Sequence, residues 1–118
     1  MPYTDEGKAV MLYGIANTIS HVSLHSGPPN KGNELTGGVY RRKQIDFRDP
    51  ETGEVRNERE ITFDVPQGAR ITHAGFWTAS YGGTLLAAAP TTEREFRGRG
   101  VYVIDLVKLG ITNKDGRP

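Results

Sequence analysis

Glycine and proline interrupt this chain so often that most of it has no room for a long helix. The 118 residues include fifteen glycines and seven prolines, which end helices and favour short strands joined by turns. One stretch, "TDEGKAVMLYGIANTI", has no proline and only two glycines. We predict a single helix there, over about residues 4–17, with Thr4 or Asp5 as its cap. Its apolar positions follow helical spacing: Ala9, Leu12, Ile15, Ala16 and Ile19.

After the helix, apolar residues recur at every second position, which is the period of a β-strand. Strand-like runs cover residues 21–25, 39–47, 55–65, 70–79, 85–90 and 101–109. The stretch "RDPETGEVR" between two of them predicts a charged hairpin. We therefore predict one domain over residues 1–118 that is mainly β. Its expected form is an antiparallel β-sandwich or jelly-roll-like barrel with one N-terminal helix and a polar C-terminal tail over about residues 111–118.

The last run, "VYVIDLVKL", is apolar on both faces apart from Asp105 and Lys108. Strands of this kind are usually covered on both sides. A domain of 118 residues has little material to provide both covers, so a second subunit is expected to provide one. The residues predicted to pack in the core and at this interface are Val101, Val103, Leu106 and Leu109.

The composition limits the classes of function. The chain has no cysteine, which rules out disulfides and thiolate metal sites. Its net charge of +1 gives no general attraction to nucleic acid or membranes, and we predict neither as a partner. Asp5 and Glu6 stand where a secretory signal would carry basic residues, and no apolar run has the length of a membrane span. We therefore expect synthesis in a cytoplasm.

The stretch "LHSGPPNKGNELTGGVYRR" is rich in glycine and basic residues, as phosphate-binding loops are. Gly27 and Gly32 have the required separation, but Lys31 precedes the second glycine, and no Ser or Thr follows a Gly-Lys pair. Two consecutive prolines also remove backbone N–H donors that would hold an anion. The pattern favours a structural loop over a cofactor site.

Catalytic and metal patterns are equally weak. His21 and His25 lie on one predicted strand, where i and i+4 side chains are about 13 Å apart, too far for a single metal ion. No Gly-x-Ser-x-Gly nucleophile motif occurs in the sequence. We predict no catalytic residue, no metal site and no cofactor.

Arginines and aromatic residues give the best candidates for contacts with partners. Arginine pairs with acidic groups on proteins and with phosphates, and arginine and aromatic residues are enriched at protein interfaces. Since the chain is nearly neutral overall, we favour a protein partner for Arg41, Arg42, Arg94, Arg97 and Arg99.

Three aromatic residues suggest another use. Tyr40, Trp77 and Tyr81 would form a stacking platform for a sugar if all three were exposed. Phe76 and Trp77 occupy adjacent strand positions and must point to opposite faces, so one of the two is expected in the core. The sequence alone leaves open which one.

Several motifs together resemble a known family. These are "VSLHSG", "NELTGGVYRRKQIDF", "ITFDVP", "HAGFWTASYGGTLLAAAP" and "GVYVIDLVKL". They are similar to small bacteriophage virion proteins, common in phages of actinobacteria, that carry the label phage tail fibre protein. The similarity extends from Thr4 to about Leu109.

The resemblance implies a non-enzymatic structural protein of the virion, made in the host cytoplasm. The expected partners are copies of the chain itself, forming a homo-oligomer with a trimer as the expected state, and the major capsid or tail proteins of the phage. Capsid decoration and tail fibre are both open as locations. The alternative function is a host cell-surface carbohydrate-binding module that uses Tyr40, Trp77 and Tyr81.

Overall fold

The computed structural model describes residues 3–29, 33–51 and 53–110. Within them the chain forms one helix and eight strands, so the expected mainly β class with an N-terminal helix is confirmed. The elements are α1 (Asp5–Thr18), β1 (His21–His25), β2 (Lys43–Gln44), β3 (Glu54–Arg56), β4 (Ile61–Val65), β5 (Arg70–Trp77), β6 (Leu85–Glu95), β7 (Gly100–Ile104) and β8 (Lys108–Gly110).

All strand pairs are antiparallel. Four strands form one sheet in the order β2-β1-β5-β6, while β3 pairs with β8 and β4 pairs with β7. The described strands form open, layered sheets and no closed barrel, because the four-stranded sheet ends at β2 on one side and at β6 on the other.

Helix α1 begins as the sequence predicts. The Thr4 side chain accepts a hydrogen bond from the Gly7 N–H at 3.1 Å, which satisfies one of the free donors of the first turn. Leu12 is buried, but so is Lys8, which lies outside the predicted apolar stripe. Conversely, Val10 is 72% exposed and Tyr13 is 45% exposed, so this helix carries apolar surface on its solvent side as well.

The core lies between the four-stranded sheet and the β4–β7 pair. Strand β4 alternates as predicted, with Ile61, Phe63 and Val65 buried and Thr62 and Asp64 exposed. Strands β1 and β5 provide the facing side, where Val22 lies opposite Phe76 and Leu24 lies opposite Ala74. Phe76 is 1% exposed, so it is the member of the Phe76–Trp77 pair that faces the core.

Two predicted strands are broken in the structure, and a buried asparagine explains both breaks. The Asn57 side chain accepts from the Val107 N–H at 2.8 Å and donates to the carbonyls of Arg59 and Asp105 at 2.7 and 3.2 Å. The predicted run 55–65 is thereby divided into β3 and β4, and the predicted run 101–109 into β7 and β8. The amide group replaces the ladder hydrogen bonds that the two segments lose at this point.

Two other predicted segments differ in extent. The run over residues 39–47 forms only the two-residue strand β2, because residues 40–42 turn their side chains into another part of the molecule, described below. The charged hairpin is present, with the Arg48 N–H donating to the Arg56 carbonyl at 2.7 Å. Asn30, Lys31 and Gly32 of the Gly/Pro-rich loop, Thr52 of the hairpin and the predicted tail lie outside the described residues.

Candidate functional site

Three distant segments meet around the indole of Trp77 at the end of β5. Its Nε1–H donates to the Ser23 hydroxyl at 2.6 Å, and its ring stacks with the His25 ring at a centroid distance of 6.5 Å. The guanidinium carbon of Arg42 lies 3.8 Å from the centre of the Trp77 ring, which is the geometry of a cation–π contact. The motifs "SLH", "NE…Y…R" and "GFW" therefore come together in space.

Arg42 makes the most contacts of this group. It binds Glu34 through two parallel hydrogen bonds, from Nε at 3.0 Å and from Nη2 at 2.9 Å. Its Nη1 donates to the carbonyls of Ala79 and Gly82 at 3.1 and 2.8 Å. The Arg42 side chain is only 8% exposed. A paired carboxylate and guanidinium in this fork geometry form one of the strong side-chain contacts, and here the pair fastens the 33–42 segment to the turn after β5.

Tyr40 completes the arrangement. Its hydroxyl donates to Glu34 at 2.8 Å and accepts from the Leu24 N–H at 3.1 Å. Its ring stacks with Phe63 of the core at 6.5 Å. We call these side chains the Trp77 network; its members are Ser23, His25, Glu34, Tyr40, Arg42 and Trp77.

The electrostatics of the Trp77 network favour the ion pair. Burial alone would raise the pKa of Glu34, but hydrogen bonds from Arg42 and Tyr40 outweigh it and hold that pKa below its ordinary value. Burial, together with the Glu34 carboxylate, raises the pKa of the Tyr40 hydroxyl. At neutral pH the Trp77 network therefore contains an ionised carboxylate and a protonated phenol.

This geometry changes the expected roles of three residues. Arg42 is expected from the sequence to contact a partner, and Tyr40 and Trp77 belong to the stacking platform of the alternative, sugar-binding function. The structure places all three in contacts within the chain, with Tyr40 stacked on the core and Trp77 between a cation and an imidazole. Tyr40 and Trp77 therefore both have partners within the chain, whereas Tyr81 is 93% exposed.

Ser23 and His25 resemble a nucleophile and its base, with the Ser23 Oγ at 2.6 Å from the His25 Nε2. However, Ser23 is fully buried, and its Oγ already accepts the Trp77 N–H and lies 3.3 Å from the Gly75 carbonyl. A Cβ added at Gly75 would lie 2.7 Å from this Oγ and 2.9 Å from the His25 Nε2. Nothing larger than a hydrogen fits above the pair, so this dyad joins β1 to β5 and has no room for a substrate.

Beside the Trp77 network lies an open cleft of about 570 Å³, formed by residues 34–37, 40–42 and 80–82. We call it the Tyr81 cleft. Tyr81 stands at its rim with 93% of its surface exposed, and Gly82 and Gly83 follow with φ values of 63° and 73°. Arg41 lines the same cleft, is exposed, and has no ion pair or side-chain hydrogen bond to the described residues. Arg41, a candidate for protein contacts, and Tyr81, a candidate for sugar stacking, thus line the same cleft.

The remaining candidates lie around β7. Tyr102 and Ile104 are buried, whereas Val101 and Val103 are 48% and 44% exposed. Leu106, just after the strand, is 53% exposed, while Leu109 packs partly against the core. We call the exposed residues Val101, Val103 and Leu106 the β7 face. The predicted two-sided apolar strand is therefore present, with one side in the core and the other in solvent.

The other predicted arginines adjoin this strand. Arg94 lies over the Phe96 ring, with its guanidinium carbon 4.7 Å from the ring centre. Arg97 and Arg99 are exposed in the turn between β6 and β7. None of the three shares the Tyr81 cleft.

Sequence reasoning missed half of the Trp77 network, namely Ser23, His25 and Glu34. The signal that was available is the strand period, because Ser23 and His25 are two positions apart on one strand and so share a face, and Trp77 lies on the same face of the neighbouring strand. Glu34 had no such signal, since its distance from Arg42 depends on how the intervening residues turn.

The described residues form neither a metal-binding cluster nor a membrane-spanning helix. Within residues 3–29, 33–51 and 53–110, no group of three or more His, Asp or Glu side chains is arranged to hold a metal ion. In the same residues, no helix has the length and apolar character needed to cross a bilayer.

Comparison with known proteins agrees with the resemblance in the motifs. A family model described as "Podophage GP4 fiber I protein gp80" matches residues 14–112, a span that includes the Trp77 network, the Tyr81 cleft and the β7 face. The chain belongs to this family of phage fibre proteins. No curated protein matches the chain significantly. As a member of a fibre family, the chain is a structural component of the virion.

Proposed function

We propose that this fibre component is non-enzymatic and assembles with copies of itself through the β7 face. The supporting observation is that Val101 and Val103, on a strand whose other side is in the core, and Leu106 just after that strand are each about half exposed. Exposed apolar residues that are clustered, rather than scattered, mark interaction sites. Burying them removes apolar surface from water, which stabilises association by about 25 cal/mol per Å².

A groove next to the β7 face supports a protein neighbour. It has a volume of about 460 Å³ and runs between β6 and the β7–β8 segment. Thr91 lines it, and the Thr91 hydroxyl is buried without a hydrogen-bond partner among the described residues. The hydroxyl has almost no surface in the groove, so the support comes from the concave shape of the groove, which a side chain of a neighbouring subunit would fill.

The charges at the groove favour a second copy as that neighbour. Asp105 and Lys108 both line it, both are exposed, and neither forms an ion pair with the described residues. Opposite charges beside the β7 face would let Asp105 of one copy pair with Lys108 of the next around a ring, the arrangement that three copies need. Arg94, Arg97 and Arg99, next to β7 in the chain, would provide polar contacts at the rim.

We expect three copies in the assembly, attached to tail or capsid proteins of the phage. The family description favours a fibre on the tail, and decoration of the capsid is the alternative location. The copy number per purified virion, measured by quantitative mass spectrometry against the major capsid protein, separates the two. A few copies in a multiple of three indicate the tail, and hundreds indicate the capsid.

The assembly is tested by sedimentation velocity on the purified chain and on Val103→Asp. We expect a trimer for the parent and a monomer for the variant, because a carboxylate in the centre of the β7 face would be desolvated on association. Val10→Asp is the matched control, since Val10 is a still more exposed valine on α1. A parent that stays monomeric, or a Val103→Asp variant that assembles normally, would overturn the proposal.

A further inference from the structure

We propose that the Tyr81 cleft binds an acidic saccharide, with Tyr81 stacking on the sugar ring and Arg41 binding its carboxylate or phosphate. This binding goes beyond the structural role proposed above. It uses no residue of the β7 face, so the two proposals stand or fall separately.

The first argument is the exposure and the support of Tyr81. A tyrosine that is 93% exposed gains nothing from the core and is free to pack on a ligand. The turn that carries it is held from both sides. Arg42 donates to the Ala79 and Gly82 carbonyls, and the Thr78 N–H donates to the Thr84 carbonyl at 3.1 Å. An aromatic ring on a fixed backbone loses little conformational freedom when a ligand binds.

The second argument is the charge of the cleft. Glu34 and Arg42 neutralise each other at 2.9 Å, so neither is free to select a charged ligand. Arg41 remains, exposed and without an ion pair among the described residues. The described lining therefore carries one uncompensated positive charge, on a group whose planar fork matches carboxylate and phosphate.

The third argument concerns the size and polarity of the cleft. A volume of about 570 Å³ lies within the range of about 300–1,000 Å³ that is common for small-ligand sites. Thr36 and Ser80 add hydroxyl groups to the lining, which suit a ligand rich in hydroxyls. Tyr40 also lines the cleft, but its ring is stacked on Phe63. Tyr81 is therefore the ring in the cleft that is open to a ligand. A single ring with polar surroundings fits a sugar better than a flat heteroaromatic base, which packs best between two surfaces.

The test is a titration of the ¹⁵N-labelled full chain followed by NMR, with D-glucuronate as the probe and D-glucose as its neutral analogue. D-glucose 6-phosphate shows whether phosphate serves as the acidic group. We expect saturable shifts of the Arg41, Tyr81 and Gly82 amide signals with one or both acidic sugars. Glucose should bind at least about tenfold more weakly, since one charge-assisted hydrogen bond contributes about that factor.

Variants locate the binding. Tyr81→Ala and Arg41→Gln should each weaken the affinity for the acidic sugar by about tenfold or more. Tyr13→Ala and Arg99→Gln are the controls, because they remove an exposed tyrosine and an exposed arginine elsewhere. Both controls should bind like the parent, and so should Val103→Asp, which affects only the assembly proposal.

Three results would overturn the proposal. One is the absence of saturable shifts with both acidic sugars. Another is equal affinity for glucose and for the acidic sugars, which would remove the role of Arg41. The last is binding that survives both Tyr81→Ala and Arg41→Gln, because the ligand would then occupy another place on the chain.

Discussion

Arg42 of the Trp77 network and Val103 of the β7 face are both expected from the sequence to contact a partner, yet their surroundings in the structure differ. Arg42 has 8% of its side chain exposed and all its described contacts within the chain, whereas Val103 is 44% exposed and has an open groove beside it. Residue type could not separate these two cases, because the forked guanidinium of an arginine suits an internal clamp as well as an interface. Strand periodicity was the better guide for Val103.

Substitution of Arg42 is expected to have the largest effect on the stability of the fold. Arg42→Ala removes both hydrogen bonds to Glu34 and leaves that carboxylate partly buried without its partner, so we expect a loss of about 2–4 kcal/mol in the free energy of unfolding. Urea denaturation measures this loss. The neighbouring Arg41→Ala is the matched control and should change stability by less than about 0.5 kcal/mol. Equal effects of the two variants would show that the clamp is unimportant.

The next largest loss of stability is expected where β1 and β5 approach each other most closely, at Gly75. Gly75→Ala places a methyl group 2.7 Å from the Ser23 Oγ, which forces Ser23 or the backbone to shift at a cost of about 1–3 kcal/mol. The same substitution at Gly14 meets no atom within 4 Å and should stabilise the helix slightly. A thermal melt of both variants, read by circular dichroism, tests the difference in sign.

The ion pair also predicts a dependence on pH. The folded-state pKa of Glu34 is below its ordinary value of 4.5, so its stabilising contribution is present above that pH and is lost as the pH falls through the folded-state pKa. The stability difference between the parent and Glu34→Gln should therefore be about 1 kcal/mol larger at pH 7 than at pH 3. Glu93→Gln serves as the control, since the Glu93–Arg70 pair is exposed on both sides. A constant difference across this range would contradict the assignment.

The smallest expected effect lies on the β7 face. Val101→Ser changes a half-exposed side chain, and the unfolding free energy of the monomer should change by no more than about 0.5 kcal/mol. The association constant of the proposed trimer should fall clearly in the same variant, because the lost apolar area is buried only on assembly. Chemical denaturation at low protein concentration and sedimentation at high concentration separate the two quantities. A large loss of monomer stability would place Val101 in the core instead.

Much of the fold was predictable because it depends on local patterns. The single helix and the alternation in β4 follow directly from residue spacing, and so does the two-sided character of β7. The breaks between β3 and β4 and between β7 and β8 could not be predicted, since they depend on Asn57 meeting Val107, fifty positions away in the chain.

The candidate site was predictable only in its parts. Tyr81 and Arg41 were chosen from residue type, and both are exposed in the cleft. Trp77 was chosen on the same grounds, but what its ring touches depends on the register between β1 and β5. That register is a long-range property, so residue type alone could not separate a ring that packs within the chain from one that is open to a ligand.

Asn57 has a consequence for how this molecule opens. Its side chain divides one long two-stranded ribbon into β3–β8 and β4–β7, and only the second pair is rich in buried core residues. We therefore expect the β3–β8 pair, in which Val55 is the one fully buried residue, to open before the β4–β7 pair. Amide hydrogens of β3 and β8 should then exchange with solvent well before those of β4 and β7, so hydrogen exchange would show two rates along what looks like one ribbon.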